Sequence, residues 1–312
     1  MTINISTSLS FSPANYLRLH LFCVQMNVLA PLFLTKSLSL SPLITDMDAA
    51  TTAYSLQRCK ILHLVRHGQG IHNVEGEKGN HVLLSDELFD AHLSPLGRQQ
   101  VDNLRKQVQS CGLAKKIDLV ITSPMSRTLQ TALGVFCSEG HSMTVNEENG
   151  TKSTPNSPPI IAVELCRERM GVHPCDKRGS ISEYQSNFPV IDFKLVESED
   201  DILWKADTRE PLEEVAARGM KFIKWLWTRQ EKEIAVVSHG IFLQQTLTAL
   251  VNDPSMKTNK LCTRFQNCEV RSVVIVDRSS AMGSCNPGMI PGVLHLPIDV
   301  SKENIPRKEV SK

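Results

Sequence analysis

The feature that most constrains this chain is a short apolar run that stops on an arginine and a histidine. Residues 60–65 read Lys-Ile-Leu-His-Leu-Val, Arg66-His67-Gly68 follow at once, and Asn73 comes soon after. A short apolar run with a hard stop is the pattern of a buried strand. The C-terminal end of such a strand is where open α/β sheets place their chemistry. An arginine there offers planar, bidentate donors to a phosphate, and a neutral imidazole beside it is a nucleophile near pH 7. The glycine lets the backbone approach a ligand closely. A lone Arg-His-Gly also arises by chance, so the rest of the chain decides its meaning.

Two more strands end in groups suited to an anion. Residues 116–122 (KIDLVIT) form one, and Ser123-Pro124 start the next helix, with Ser123 expected as its N-cap and Arg127 in its first turn. Residues 232–240 (KEIAVVSHG) form the other, ending in Ser238-His239-Gly240 ahead of a helix over 241–251. Ahead of the first of these, after the Arg66-His67 strand, lies an amphipathic helix capped by Ser94 and opened by Pro95, with Val101, Leu104 and Val108 on one stripe and Gly112 at its end. A strand over 160–165, a strong helix over 211–230 and a last strand over 268–277 complete the pattern. Strands alternating with helices imply an α/β fold with a parallel sheet, whose strand ends share one edge. Arg66-His67, Ser123 with Arg127, and Ser238-His239 then converge.

Composition bounds the rest. With 312 residues the chain holds one large domain with appendages, expected over 56–278. A hydrophobic fraction of 41% and a charged fraction of 21% are those of an ordinary globular protein. A formal net charge of +1 gives no electrostatic case for nucleic acid or an anionic membrane. The nine cysteines show no CxxC pair and no zinc-like spacing, so no metal is expected, and Cys166 and Cys175, the closest pair near a motif, are read as reduced thiols of an intracellular protein. No apolar stretch reaches the roughly 18 residues of a membrane span. Residues 1–55 are rich in Ser, Thr and Leu, with no acid before Asp46. They read either as an organellar transit peptide or as sequence ahead of a usual start at Met47, and as disordered in both cases. The location expected is accordingly the cytoplasm, or the chloroplast if residues 1–46 act as a transit peptide. Residues 137–159 look like an inserted loop and 279–312 like a poorly ordered tail.

Taken together, RHGQGIHN, TSPMSRTLQTA, ELCRERMG and VVSHG, in this order and spacing over residues 58–277, resemble the histidine phosphatase superfamily, also called the phosphoglycerate mutase-like family. The run from RCKILHLVRHGQGIHNV through VELCRE to HPCDKR resembles its plant phosphoglycerate mutase-like members in particular. The resemblance implies a three-layer α/β/α sandwich with a mostly parallel central sheet. It also implies a phosphohistidine mechanism without a cofactor, acting on a small phosphorylated metabolite such as those of carbohydrate metabolism. His67 would be phosphorylated, Arg66, Arg127 and His239 would hold the phosphoryl oxygens, and Glu168 would donate the proton. Asn73 and Ser123 match motif positions near the phosphate pocket. Glu168 is preferred over Glu164 for its spacing to Gly171. His63 is expected in the core, His72, His92 and His173 on the surface or in loops, with His173 bordering the pocket.

Phosphatase, mutase and non-catalytic phospho-ligand module all remain open at this level. True mutases of the family carry Glu-Arg-x-Tyr-Gly, whereas this chain has Glu168-Arg169-Met170-Gly171, one residue shorter and without the tyrosine. A pure binder needs no nucleophile, which His67 paired with His239 supplies. A metal-dependent hydrolase would need carboxylates clustered with the histidines, and none is evident.

Overall fold

A computed structural model describes residues 59–137, 157–251, 260–277 and 292–296. The N-terminal extension, the loop expected over 137–159 beyond its ends, and most of the tail lie outside them. β1 (Cys59–Arg66) stands inside a seven-stranded sheet of order β4-β3-β2-β5-β1-β6-β7. The other strands are β2 (Leu119–Thr122), β3 (Ile160–Ala162), β4 (Ile191–Asp192), β5 (Glu233–Ser238), β6 (Val270–Val276) and β7 (Gly292–Leu296). β4, β3, β2, β5 and β1 run parallel, and β6 is antiparallel to both β1 and β7. The mostly parallel α/β sheet is therefore as expected. The tail is not wholly outside it: β7 pairs along β6, covering an edge that would otherwise expose unpaired backbone groups.

Both faces of the sheet are covered, which gives the three layers. Val65, Val120, Ala235 and Val237 point to one side. There they meet α2 (Pro95–Ser110), α3 (Ser126–Phe136) and α4 (Ile181–Asn187). Leu62, Leu64, Ile121, Ile234 and Val236 point to the other and meet α5 (Leu212–Trp227) and α6 (Gly240–Val251). The period-2 alternation of strand side chains is what divides them. A short α1 (Ile71–Gly76) follows β1.

α2 is built as its sequence demands, with the Ser94 hydroxyl accepting from the Gly97 N–H at 3.0 Å and Pro95 in the first turn. Gly97 serves a second purpose, since a Cβ there would lie 2.0 Å from the Gln69 carbonyl oxygen. The helix thus packs directly on the turn that follows His67.

Other boundaries differ from expectation. The strand expected over 160–165 ends at Ala162, and Glu164–Cys166 form a 3-10 turn. The segment after Gly171 contains α4 and β4, elements too short to leave a periodic signal. α3 starts at Ser126, not at Pro124, and Ser123 does not cap it. Asp90, from a distant loop, accepts from the Ser126 N–H at 2.9 Å and from the Ser126 hydroxyl. Ser123 is thereby released for the site.

Candidate active site

Strand register explains how residues far apart in sequence meet. Arg66 pairs with Ser238 across β1 and β5, and Thr122 pairs with Val237 across β2 and β5. His67, Ser123 and His239 therefore leave the sheet side by side. The rings of His67 and His239 lie 5.2 Å apart at 63°, and the Ser123 hydroxyl is 2.8 Å from His239 Nε2.

The orientation of His67 is fixed by its neighbours. Its Nδ1 lies 2.6 Å from the Gly68 carbonyl oxygen, which only accepts, so Nδ1 carries the hydrogen and Nε2 keeps its lone pair. The turn holding that carbonyl is itself fastened: the Gly68 N–H donates to Thr131 Oγ1 at 3.1 Å, and Asn267 Nδ2 donates to the His67 carbonyl at 3.1 Å. Burial holds His67 well below the ordinary imidazole range, aided by the positive charges of Arg127 and Arg66. His239 is lowered in the same way, by burial first and Arg127 next. Both rings are neutral near pH 7.

Two guanidiniums flank them. Arg66 donates from Nη1 to the Phe265 carbonyl at 2.8 Å, and burial, then the charge of Arg264, lowers it to about 10. Arg127 is fully buried and donates from Nη1 to the Cys175 carbonyl at 2.6 Å and from Nη2 to Asp176 at 2.9 Å. Among the described residues eight buried side-chain polar atoms have no partner, and four of them are Arg66 Nε, Arg127 Nε, His72 Nδ1 and His239 Nδ1. An unpartnered buried polar group costs about 1–3 kcal/mol. Their concentration around His67 is the mark of a site built for an anion.

His72 belongs to this group, although its sequence context placed it at the surface. Its ring lies 5.6 Å from that of His67, and burial and Arg127 lower it too. Asn73 supports it: the Asn73 Oδ1 accepts from the Gly70 N–H at 2.9 Å, and its Nδ2 lies 3.0 Å from His72 Nε2. The Asn73 amide thus faces protein groups. His63 is a satisfied core residue between Ser272 and Glu233, His92 contacts Gln130 near the surface, and His173 lies beside Asp176.

The two candidate carboxylates separate cleanly. Glu168 accepts from the backbone N–H groups of Ile241 and Phe242, at 3.3 and 3.1 Å, in the first turn of α6 directly after His239. Its charge is felt by Arg66. Glu164 instead pairs with Arg178 at 2.7 Å and Arg167 at 3.1 Å, a structural arrangement.

Asp176 is the residue that sequence reasoning missed. It is buried between Arg127 and Arg209, with Oδ1 at 2.9 Å from the first and Oδ2 at 2.8 Å from the second. It thereby orients Arg127 so that Nε is left for the site. His173, Cys175 and Asp176 place three potential metal-ligand atoms within 4.8 Å of one another. They fit a cation poorly, because both Asp176 oxygens are taken by arginines and burial pushes the Cys175 thiol up to about 12. Removing one partner of a buried ion pair costs about 3–5 kcal/mol, because the other charge is stranded. Asp176→Asn should therefore lower stability to urea by that order. Glu75→Gln, breaking a pair whose Lys78 is 63% exposed, should cost under about 1 kcal/mol. Equal effects would remove Asp176 from the account.

The chain is also similar to known proteins. The family model of the histidine phosphatase superfamily (branch 1) matches residues 62–149 and 192–286. Phosphoglycerate mutase-like protein 1 of Arabidopsis thaliana is 55% identical over 272 residues, covering 81% of this chain and 96% of that protein. Phosphoglycerate mutase-like protein 2 of the same plant is 47% identical over 290 residues, covering 80% and 84%. Among solved structures, a phosphoserine phosphatase from Entamoeba histolytica in complex with 3-phosphoglyceric acid is similar with a TM-score of 0.42 and 15% identity, covering 77% of this chain and 98% of that one. With the family model matched on both sides of the site and relatives this similar over most of its length, the chain belongs to the histidine phosphatase superfamily.

Proposed function

We propose that the protein is a phosphatase that hydrolyses a small phosphate monoester through a phosphohistidine at His67. One observation carries this reading: the Gly68 carbonyl takes the Nδ1 hydrogen of His67, which leaves the Nε2 lone pair among cationic and N–H donors. Nε2 attacks phosphorus, the ester P–O bond breaks, and the leaving oxygen takes a proton from Glu168. Water then gives a proton to the Glu168 carboxylate and attacks the phosphohistidine, releasing inorganic phosphate and restoring His67. Negative charge on the transferring phosphoryl oxygens is met by Arg66, Arg127 and His239. Hydrolysis is favoured over mutase chemistry because Glu168-Arg169-Met170-Gly171 lacks the tyrosine and the spacing of the mutase pattern.

The test is a panel of phosphate monoesters, with free phosphate and isomerised ester both measured, with and without EDTA. Free phosphate should appear at a rate that the chelator does not change. Isomer without free phosphate would make the protein a mutase. Activity lost to EDTA and restored by a metal ion would move the chemistry to a metal centre.

A further inference from the structure

Beside the buried guanidinium of Arg66 stands a second one that the proposed chemistry does not use. Arg264 is exposed, and among the described residues its side chain has no hydrogen bond and no ion pair. It nevertheless points to the site. A Cβ added to Gly240, the first residue of α6, would lie 3.3 Å from Arg66 Nε and 3.5 Å from Arg264 Nε. The two guanidiniums thus converge on the helix end that carries the Glu168 contacts. The charge of Arg264 acts on Arg66 and on His72.

The backbone that presents Arg264 is rigidly held. Arg271, itself buried, donates to the carbonyls of Leu261 at 2.9 Å, Thr263 at 2.7 Å and Arg264 at 3.2 Å. Its guanidinium lies 3.7 Å from the centre of the Phe265 ring, and the Phe265 carbonyl accepts from Arg66. One buried arginine therefore staples the turn, and that turn grips Arg66 on one side and displays Arg264 on the other. A surface lysine or arginine on a loose loop would not be positioned in this way. Holding two like charges together costs energy unless an anion lies between or beside them. Burial divides the two: Arg66 Nε is sealed from solvent and suits the transferred phosphoryl group, whereas Arg264, exposed beside the same helix end, is open to a group that is not itself transferred.

We propose that Arg264 is a specificity-determining residue that binds a second anionic group of the substrate, so that the preferred substrates are phosphate monoesters bearing a carboxylate or a second phosphate near the ester. This deepens the phosphatase reading above and rests on it. A charge-assisted hydrogen bond at such a position is worth about tenfold to a hundredfold in affinity.

The test compares three esters of similar size: glycerol 3-phosphate with no second anion, 3-phosphoglycerate with a carboxylate, and 1,3-propanediol bisphosphate with a second phosphate. Arg264→Gln should lower kcat/KM for one or both doubly anionic esters at least about tenfold more than for glycerol 3-phosphate, chiefly through KM. Arg264→Lys should recover part of the loss, and the wild-type preference should shrink as salt rises. The arm that loses more identifies the group bound. The same contrast should appear in equilibrium binding by His67→Ala protein, with and without Arg264→Gln. That measurement stands even if the wild type hydrolyses none of the three, an outcome that would overturn the phosphatase reading instead. An equal loss on all three esters would assign Arg264 to the transferred phosphoryl group and overturn the inference, as would no loss at all.

Discussion

His67→Ala protein should turn over no phosphate monoester, with kcat lowered by roughly 10⁴-fold or more, while its circular dichroism remains that of the wild type. The effect is this large because the covalent step has no substitute. His72 and His239 remain in the site, but His72 Nε2 faces Asn73 and His239 Nε2 faces Ser123. The nitrogen that each leaves without a partner is Nδ1, and of the three rings only His67 has its Nδ1 hydrogen held by a backbone carbonyl, which leaves Nε2 its lone pair. The fold survives because β1 is held by backbone pairing to β5 and β6, which a side-chain truncation after the strand does not touch. Binding of inorganic phosphate should persist in this variant, since Arg66, Arg127 and His239 are intact. A fully active His67→Ala protein would end the phosphohistidine account.

The second large effect separates the two carboxylates. Glu168→Gln should slow turnover of esters with poor leaving groups, such as sugar or glycerate phosphates, by roughly a hundredfold or more. An aryl phosphate, whose phenolate departs without a proton, should lose much less in the phosphorylation step. The dephosphorylation step still needs water activated, so pre-steady-state phosphorylation is the quantity to compare. Glu164→Gln should show no dependence on leaving group. Its carboxylate serves Arg167 and Arg178, and the expected result is a loss of about 1–3 kcal/mol in stability. Leaving-group sensitivity that followed Glu164 would reassign the acid.

The site was legible in sequence to the extent that strand ends report it. Arg66-His67, Ser123 and Ser238-His239 each follow an apolar run, and parallel pairing with aligned register brings such ends together. Helix α2 was readable for a similar reason, because Ser94, Pro95 and its apolar stripe are local signals. What the sequence could not show are contacts between segments without period. Asp176 grips Arg127 from a 3-10 turn 49 residues away. Asp90 caps α3 from a loop 36 residues away, so Ser123 looked like the cap. His72 sits two residues past Gly70, in the first turn of a six-residue helix too short to show which way its ring points. β7 lies in a stretch rich in Gly and Pro, where composition argues against a strand and only pairing with β6 makes one. Arg264 carries no motif at all, and its place beside Arg66 depends on the staple made by Arg271.

The central claim is that the phosphoryl group rests on His67 during turnover, and rapid chemical trapping tests it most directly. Protein mixed briefly with a ³²P-labelled monoester and quenched in alkali should retain the label, with the modified peptide containing His67. Acid should remove it, because a phosphoramidate is acid-labile and alkali-stable. The His67→Ala protein should carry none. A label that survives acid, or that maps to another residue, would contradict the account, as would rapid turnover with no label trapped from the wild type on any substrate.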